Sequence, residues 1–134
     1  MQINRRKVRN GVSCFLNYLK FRYLGVEMGY HFRGLGKIVL KLDPKYKRVV
    51  IGDNFIIIGG GFRNSISRNM MSCIHVQAGA ELCIGNDVRM SDVCIWARKK
   101  IIIGSFVTVG ADTIIMDSDS HPLDWSLRRR ECID

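Results

Sequence analysis

The chain has 134 residues, 47% of them apolar, and a formal net charge of +9. That length bounds one domain, and no apolar run reaches the roughly 18 residues that a spanning helix needs. The five cysteines (Cys14, Cys73, Cys83, Cys94, Cys132) are odd in number and lack CxxC or Cys/His spacing. They predict reduced thiols, no disulfide frame, no metal site and a cytoplasmic setting.

Residues 4–24 read as a basic amphipathic helix with Val8, Val12, Phe15, Leu16 and Leu19 on one stripe and Gly25 as its stop. No apolar core segment with a cleavage site follows the basic N-terminus, so a secretory signal is not expected. The helix is expected to pack on the side or end of the rest of the domain. Peripheral contact with an anionic membrane is the alternative that its charge allows. Residues 1–28 form this helical segment, and 29–134 the remaining domain.

From Gly29 to Pro44 the pattern is mixed, with strand-like alternation over 37–42. Val49, Ile51, Phe55 and Ile57 then open a paired apolar spacing, broken from Gly59 to Met71 and resumed at Ile74 and Val76. Between Leu82 and Ile115 the period is six: Ile84, Met90 and Trp96, then, after one extra residue, Ile103, Val109 and Ile115. A second small or apolar residue sits two positions earlier each time, at Leu82, Val88, Cys94, Ile101, Val107 and Thr113. Cys94 thus falls on an inward position. Gly85, Gly104 and Gly110 follow the larger residue, where a tight bend or a positive φ is expected. A helix would repeat near 3.6 and a plain strand at 2. A period of six predicts short strands joined by tight bends, stacked as three to four coils of a hexapeptide β-helix.

The basic clusters at 5–9, 45–48, 98–100 and 128–130 fall mostly at bends and ends, so solvated charge is expected and nucleic-acid binding is not. His31 and His75 are read as structural.

The hexads Ile84-Gly85-Asn86-Asp87-Val88 and Ile103-Gly104-Ser105-Phe106-Val107, followed by Asp117, Asp119 and His121-Pro122-Leu123-Asp124, resemble the left-handed β-helix acyltransferases. The nearest branch is the galactoside, maltose and capsular-polysaccharide O-acetyltransferases. The resemblance runs from about Val49 to Asp124. It implies an all-β, left-handed parallel β-helix, a homotrimer with sites between subunits, and acetyl-CoA as donor co-substrate. His121 aligns with that family's catalytic base. An imidazole titrates near neutral pH and can take the proton of a sugar hydroxyl as it attacks the thioester. Asp117 and Asp119 would orient the imidazole or touch the acceptor. Ser91 and Asp92 stand where the family places acceptor contacts, and Trp125 is a candidate for stacking on a sugar or covering the trimer interface.

Relatives continue with two or more coils beyond the His-Pro loop, and those coils carry much of the donor binding. Here about a dozen residues follow His121. The expectation is therefore an O-acetyltransferase domain lacking its C-terminal coils, acting on a sugar or polysaccharide precursor. The alternative is a truncated, catalytically inactive β-helix relic or a trimeric interaction module.

Overall fold

The computed structural model describes residues 5–60 and 63–131. Cys132 and the outermost residues of both terminal segments lie outside the described residues, as do Gly61 and Phe62. Helix α1 (Arg5–Tyr23) leads into twelve short strands and a final helix. The strands are β1 (Glu27–Met28), β2 (Arg33–Gly36), β3 (Ile38–Leu42), β4 (Arg48–Ile51), β5 (Ile56–Gly59) and β6 (Ser72–Val76). They continue with β7 (Glu81–Ile84), β8 (Arg89–Ser91), β9 (Cys94–Ala97), β10 (Lys100–Ile103), β11 (Thr108–Val109) and β12 (Ile114–Met116). Helix α2 (Trp125–Glu131) closes the described chain.

Each strand from β1 to β9 pairs in parallel with the strand three later. This makes three four-stranded sheets, β1-β4-β7-β10, β2-β5-β8-β11 and β3-β6-β9-β12. The fold is thus a parallel β-helix of four coils, each visiting all three sheets once. Inside, Val49, Ile51, Phe55, Ile57, Ile74, Val76, Leu82, Ile84, Val88 and Met90 are all buried, on the paired positions of the repeat. Each such side chain contributes roughly 1.5–3 kcal/mol by leaving water. Among the described residues no helix is long and apolar enough to cross a membrane.

The repeat slips once. The inward residues of β9 are Ile95 and Ala97, preceded by Val93, while Cys94 and Trp96 face outward. The expected inward positions of Cys94 and Trp96 are therefore corrected. The bend at Ser91 and Asp92 is one residue shorter than the bend at 85–87, so the extra residue of the period is taken up across β9. Trp96 instead stacks on His75, its register partner one coil earlier, with ring centroids 6.1 Å apart and planes 9° from parallel. His75 also meets Asp43 at 3.1 Å, in keeping with a structural role.

Bends between the first and second sheets stack closely. A Cβ on Gly52 would lie 2.7 Å from the Gly85 carbonyl carbon, and one on Gly85 would lie 2.6 Å from the Ser105 amide nitrogen. Side chains lace these bends from coil to coil: the Tyr30, Asp53 and Asn86 N–H groups donate to Asp53 Oδ1, Asn86 Oδ1 and Ser105 Oγ. The positive φ falls on His31, Asn54, Asp87 and Phe106, two residues past each glycine. Gly29, Gly52 and Gly85 are thus needed for close approach, not for a left-handed backbone.

α1 lies across the outer edge of the first coil. The Asn17 amide donates to Gly34 O and Gly36 O, both at 3.1 Å, and Lys20 donates to Ile38 O. These carbonyls belong to edge strands that no other strand reaches. Phe21 is fully buried, its ring 5.0 Å from Phe32, which in turn lies 6.0 Å from Phe55. The helix ends as expected at Gly25, whose φ is +82°. Val26 N–H returns to Phe21 O and Gly25 N–H to Arg22 O, a Schellman cap. The predicted stripe does not face the coils, however: Val8, Val12, Phe15, Leu16 and Leu19 are all exposed. The polar face carrying Ser13, Asn17 and Lys20 packs inward, because the bare edge needs donors.

Candidate functional site

The three corners of the prism carry different work. The corner between the third and first sheets bends at 43–47, 77–80 and 98–99, and after β12 the chain leaves it through 117–122. Asp117 ties this corner together: its carboxylate accepts the Arg98, Lys99 and Lys100 N–H groups at 2.7, 2.7 and 2.6 Å. Partial burial by itself would push the Asp117 carboxyl up, but the three donors outweigh it and hold the group below the ordinary aspartate range. Arg98 spans two coils, donating to Gln77 Oε1 at 3.2 Å and Ser118 Oγ at 3.0 Å while its guanidinium lies 5.8 Å from the Trp96 ring.

Here a cleft of about 550 Å³ opens between 117–122 and the side chains of Gln77, Arg98 and Lys99. His121 and Asp119 are exposed on its wall, and a second hollow of about 490 Å³ adjoins it at 116–119. An imidazole in a cleft shared with Arg98 and Lys99 can accept a proton from a hydroxyl. The cations favour an anionic group on whatever carries the second reactant.

The candidate residues divide between two corners. His121, Asp117 and Asp119 share the cleft. Ser91 and Asp92 stand between the second and third sheets, at the other end of β9, roughly 20 Å of extended chain away. There Asp92 is buried and accepts the Gly60 N–H at 2.8 Å, and Ser91 Oγ accepts from the Asn64 amide at 3.0 Å. The same 60–71 excursion reaches down to coil four, where Arg68 pairs with Asp112 at 3.0 Å. Within one chain, Ser91 and Asp92 anchor this loop. Trp125 opens α2 and is exposed, outside the lining of the cleft. Asp124 caps that helix through the Ser126 N–H at 2.7 Å.

Gln77, Arg98, Lys99, Ser118 and Ser120 are the cleft residues that motif reading did not single out. The signal lay in the stacking register: counting one coil back from Ser118 lands on Arg98, and one more on Gln77. Compared with protein-family models, curated proteins and solved structures, the chain matches none.

Proposed function

We propose that the chain is an acetyl-CoA-dependent O-acetyltransferase of the left-handed β-helix kind. It would act in the cytoplasm on a hydroxyl of a sugar or polysaccharide precursor, with His121 as general base. The observation that carries this reading is the His121 cleft, an exposed imidazole beside Arg98 and Lys99 at the end of a stacked parallel prism. The left hand of the coil belongs to the proposal and rests on the hexad resemblance.

In the proposed reaction the acceptor oxygen attacks the thioester carbonyl carbon as its proton passes to the His121 imidazole. The C–S bond then breaks, and the proton moves on to the leaving thiolate. A hydroxyl and a thioester become an ester and a thiol, with no enzyme nucleophile involved. Arg98 and Lys99 suit the phosphates of the donor. Asp117 holds the bend that carries both, and so acts as a positioning residue; Asp119, exposed in the cleft, is the carboxylate left to meet the acceptor. In a homotrimer, the corner bearing Ser91 and Asp92 on one chain can face the His121 corner of the next. Outward apolar residues such as Ile102 and Ile114 supply contact surface for such an assembly. The same apolar residues favour a second reading, a non-catalytic trimeric module.

Titration calorimetry with acetyl-CoA, with light scattering on the same sample, tests the reading. Binding to a trimer, with acetyl transfer to a sugar hydroxyl that His121→Ala abolishes without loss of folding, is expected. A trimer that binds no acetyl-CoA and transfers nothing would leave the module reading in its place.

A further inference from the structure

α1 carries two opposed faces. Asn17 and Phe21 are buried against the first coil, whereas Val8, Val12, Phe15 and Leu19 lie half a turn of the helical wheel away, all about half exposed or more. A helix that has already satisfied its packing through a mostly polar face has no structural use for a second, outward apolar stripe. Leu16 extends this stripe toward Val39 and Met71, across a shallow groove of about 320 Å³.

The charge around the stripe decides what covers it. Residues 5–23 include Arg5, Arg6, Lys7, Arg9, Lys20 and Arg22 and no Asp or Glu. Two such helices laid face to face would set cations such as Arg9 and Arg22 against their like with no acidic residue to offset them, which disfavours a second copy of this chain. An anionic surface meets the charge instead. Tyr18 and Tyr23, both exposed, add side chains suited to the headgroup level.

We propose that α1 docks the protein on an anionic lipid surface. Val8, Val12, Phe15, Leu16 and Leu19 enter the boundary between headgroups and acyl chains, and the exposed Arg9 and Arg22 beside them meet lipid phosphates. The prism then stands away from the membrane. The His121 cleft belongs to coil four, about 14 Å further along the stack at the ordinary strand spacing, and opens into water. This inference does not depend on the acetyltransferase reading.

Co-sedimentation of the full chain with vesicles tests it, comparing pure phosphatidylcholine with a mixture containing about one third phosphatidylglycerol. Partitioning onto the anionic vesicles is expected, weaker by roughly tenfold or more on the neutral ones. Phe15→Glu with Leu19→Glu, two exposed positions, should lose the binding while the melting curve stays in place. Arg9→Gln with Arg22→Gln serves as a second variant and should weaken it through charge alone. Absence of wild-type binding to anionic vesicles overturns the proposal, as does binding indifferent to lipid charge and to both variants. A concentration-dependent dimer that the Phe15→Glu/Leu19→Glu variant dissolves would also overturn it, assigning the stripe to a second copy.

Discussion

Gly52 and Gly104 occupy the same place in the repeat, two coils apart, and should respond oppositely to alanine. At Gly52 a Cβ would meet Asn86 Oδ1 at 2.3 Å and the Gly85 carbonyl carbon and oxygen at 2.7 and 2.8 Å. The Asn86 amide cannot simply swing aside, because its Oδ1 accepts the Asp53 N–H at 2.8 Å. Losing that bond costs about 0.5–1.5 kcal/mol, and forcing stacked backbone apart about 1–3 kcal/mol more. Gly52→Ala should therefore destabilise by about 2–4 kcal/mol and lower the melting temperature by about 10 °C. At Gly104 nothing lies within 4 Å of the added Cβ, and its φ is outside the left-handed region. Gly104→Ala should be neutral or stabilise by up to about 1 kcal/mol, by restricting the unfolded chain. Urea unfolding followed by circular dichroism measures both. Equal shifts for the two variants, or a Gly52→Ala cost below about 0.5 kcal/mol, would refute the claim that coil-on-coil contact sets the need for glycine.

Phe106 holds a left-handed φ of 61° at a site where earlier coils use Asn54 and Asp87, and its side chain is exposed. Phe106→Asn should stabilise by about 1 kcal/mol, seen as a rise in melting temperature. Asn17→Ala removes the donors to Gly34 O and Gly36 O and should cost about 1–3 kcal/mol; faster amide exchange in α1, with the β7–β9 amides unchanged, is the expected signature. Asp117→Asn should destabilise the 98–100 bend at neutral pH. The folded-state pKa of Asp117 is depressed, so its contribution is complete above the ordinary aspartate range and is lost as pH falls through the lower folded value. The difference between wild type and Asp117→Asn in urea unfolding should accordingly shrink in acid, and a difference that widens there would contradict the assignment.

Period-six spacing made the stacked parallel coils legible, because paired apolar residues such as Leu82 and Ile84 recur in every coil from the second onward. The first coil escaped the pattern. Gly34 takes an inner position on β2, and Phe21 from α1 and Phe32 fill the space that larger strand residues fill elsewhere. Trp96 and Cys94 were assigned to the wrong side, since hexad counting cannot see that the Ser91–Asp92 bend is short. The α1 stripe misled for a different reason. Apolar patterning assumes that burial drives helix packing, whereas here the bare carbonyls of an edge strand select the polar face. His121, Asp117 and Asp119 stood out as a motif after the last hexad, but Arg98 and Lys99 join the cleft only through stacking, which a linear reading does not show.

α1 has a further consequence, for growth of the stack. It meets the first coil with side-chain donors to Phe32 O, Gly34 O, Gly36 O and Ile38 O, so an incoming strand would find those carbonyls taken. In the language of polymer chemistry, a β-helix with two bare ends is a bifunctional monomer and can propagate into a fibre. With α1 in place the β2 and β3 edges are taken, and propagation through that end stops. The helix is thus a chain terminator, and its hold on the first coil sets the order of any assembly built by edge pairing.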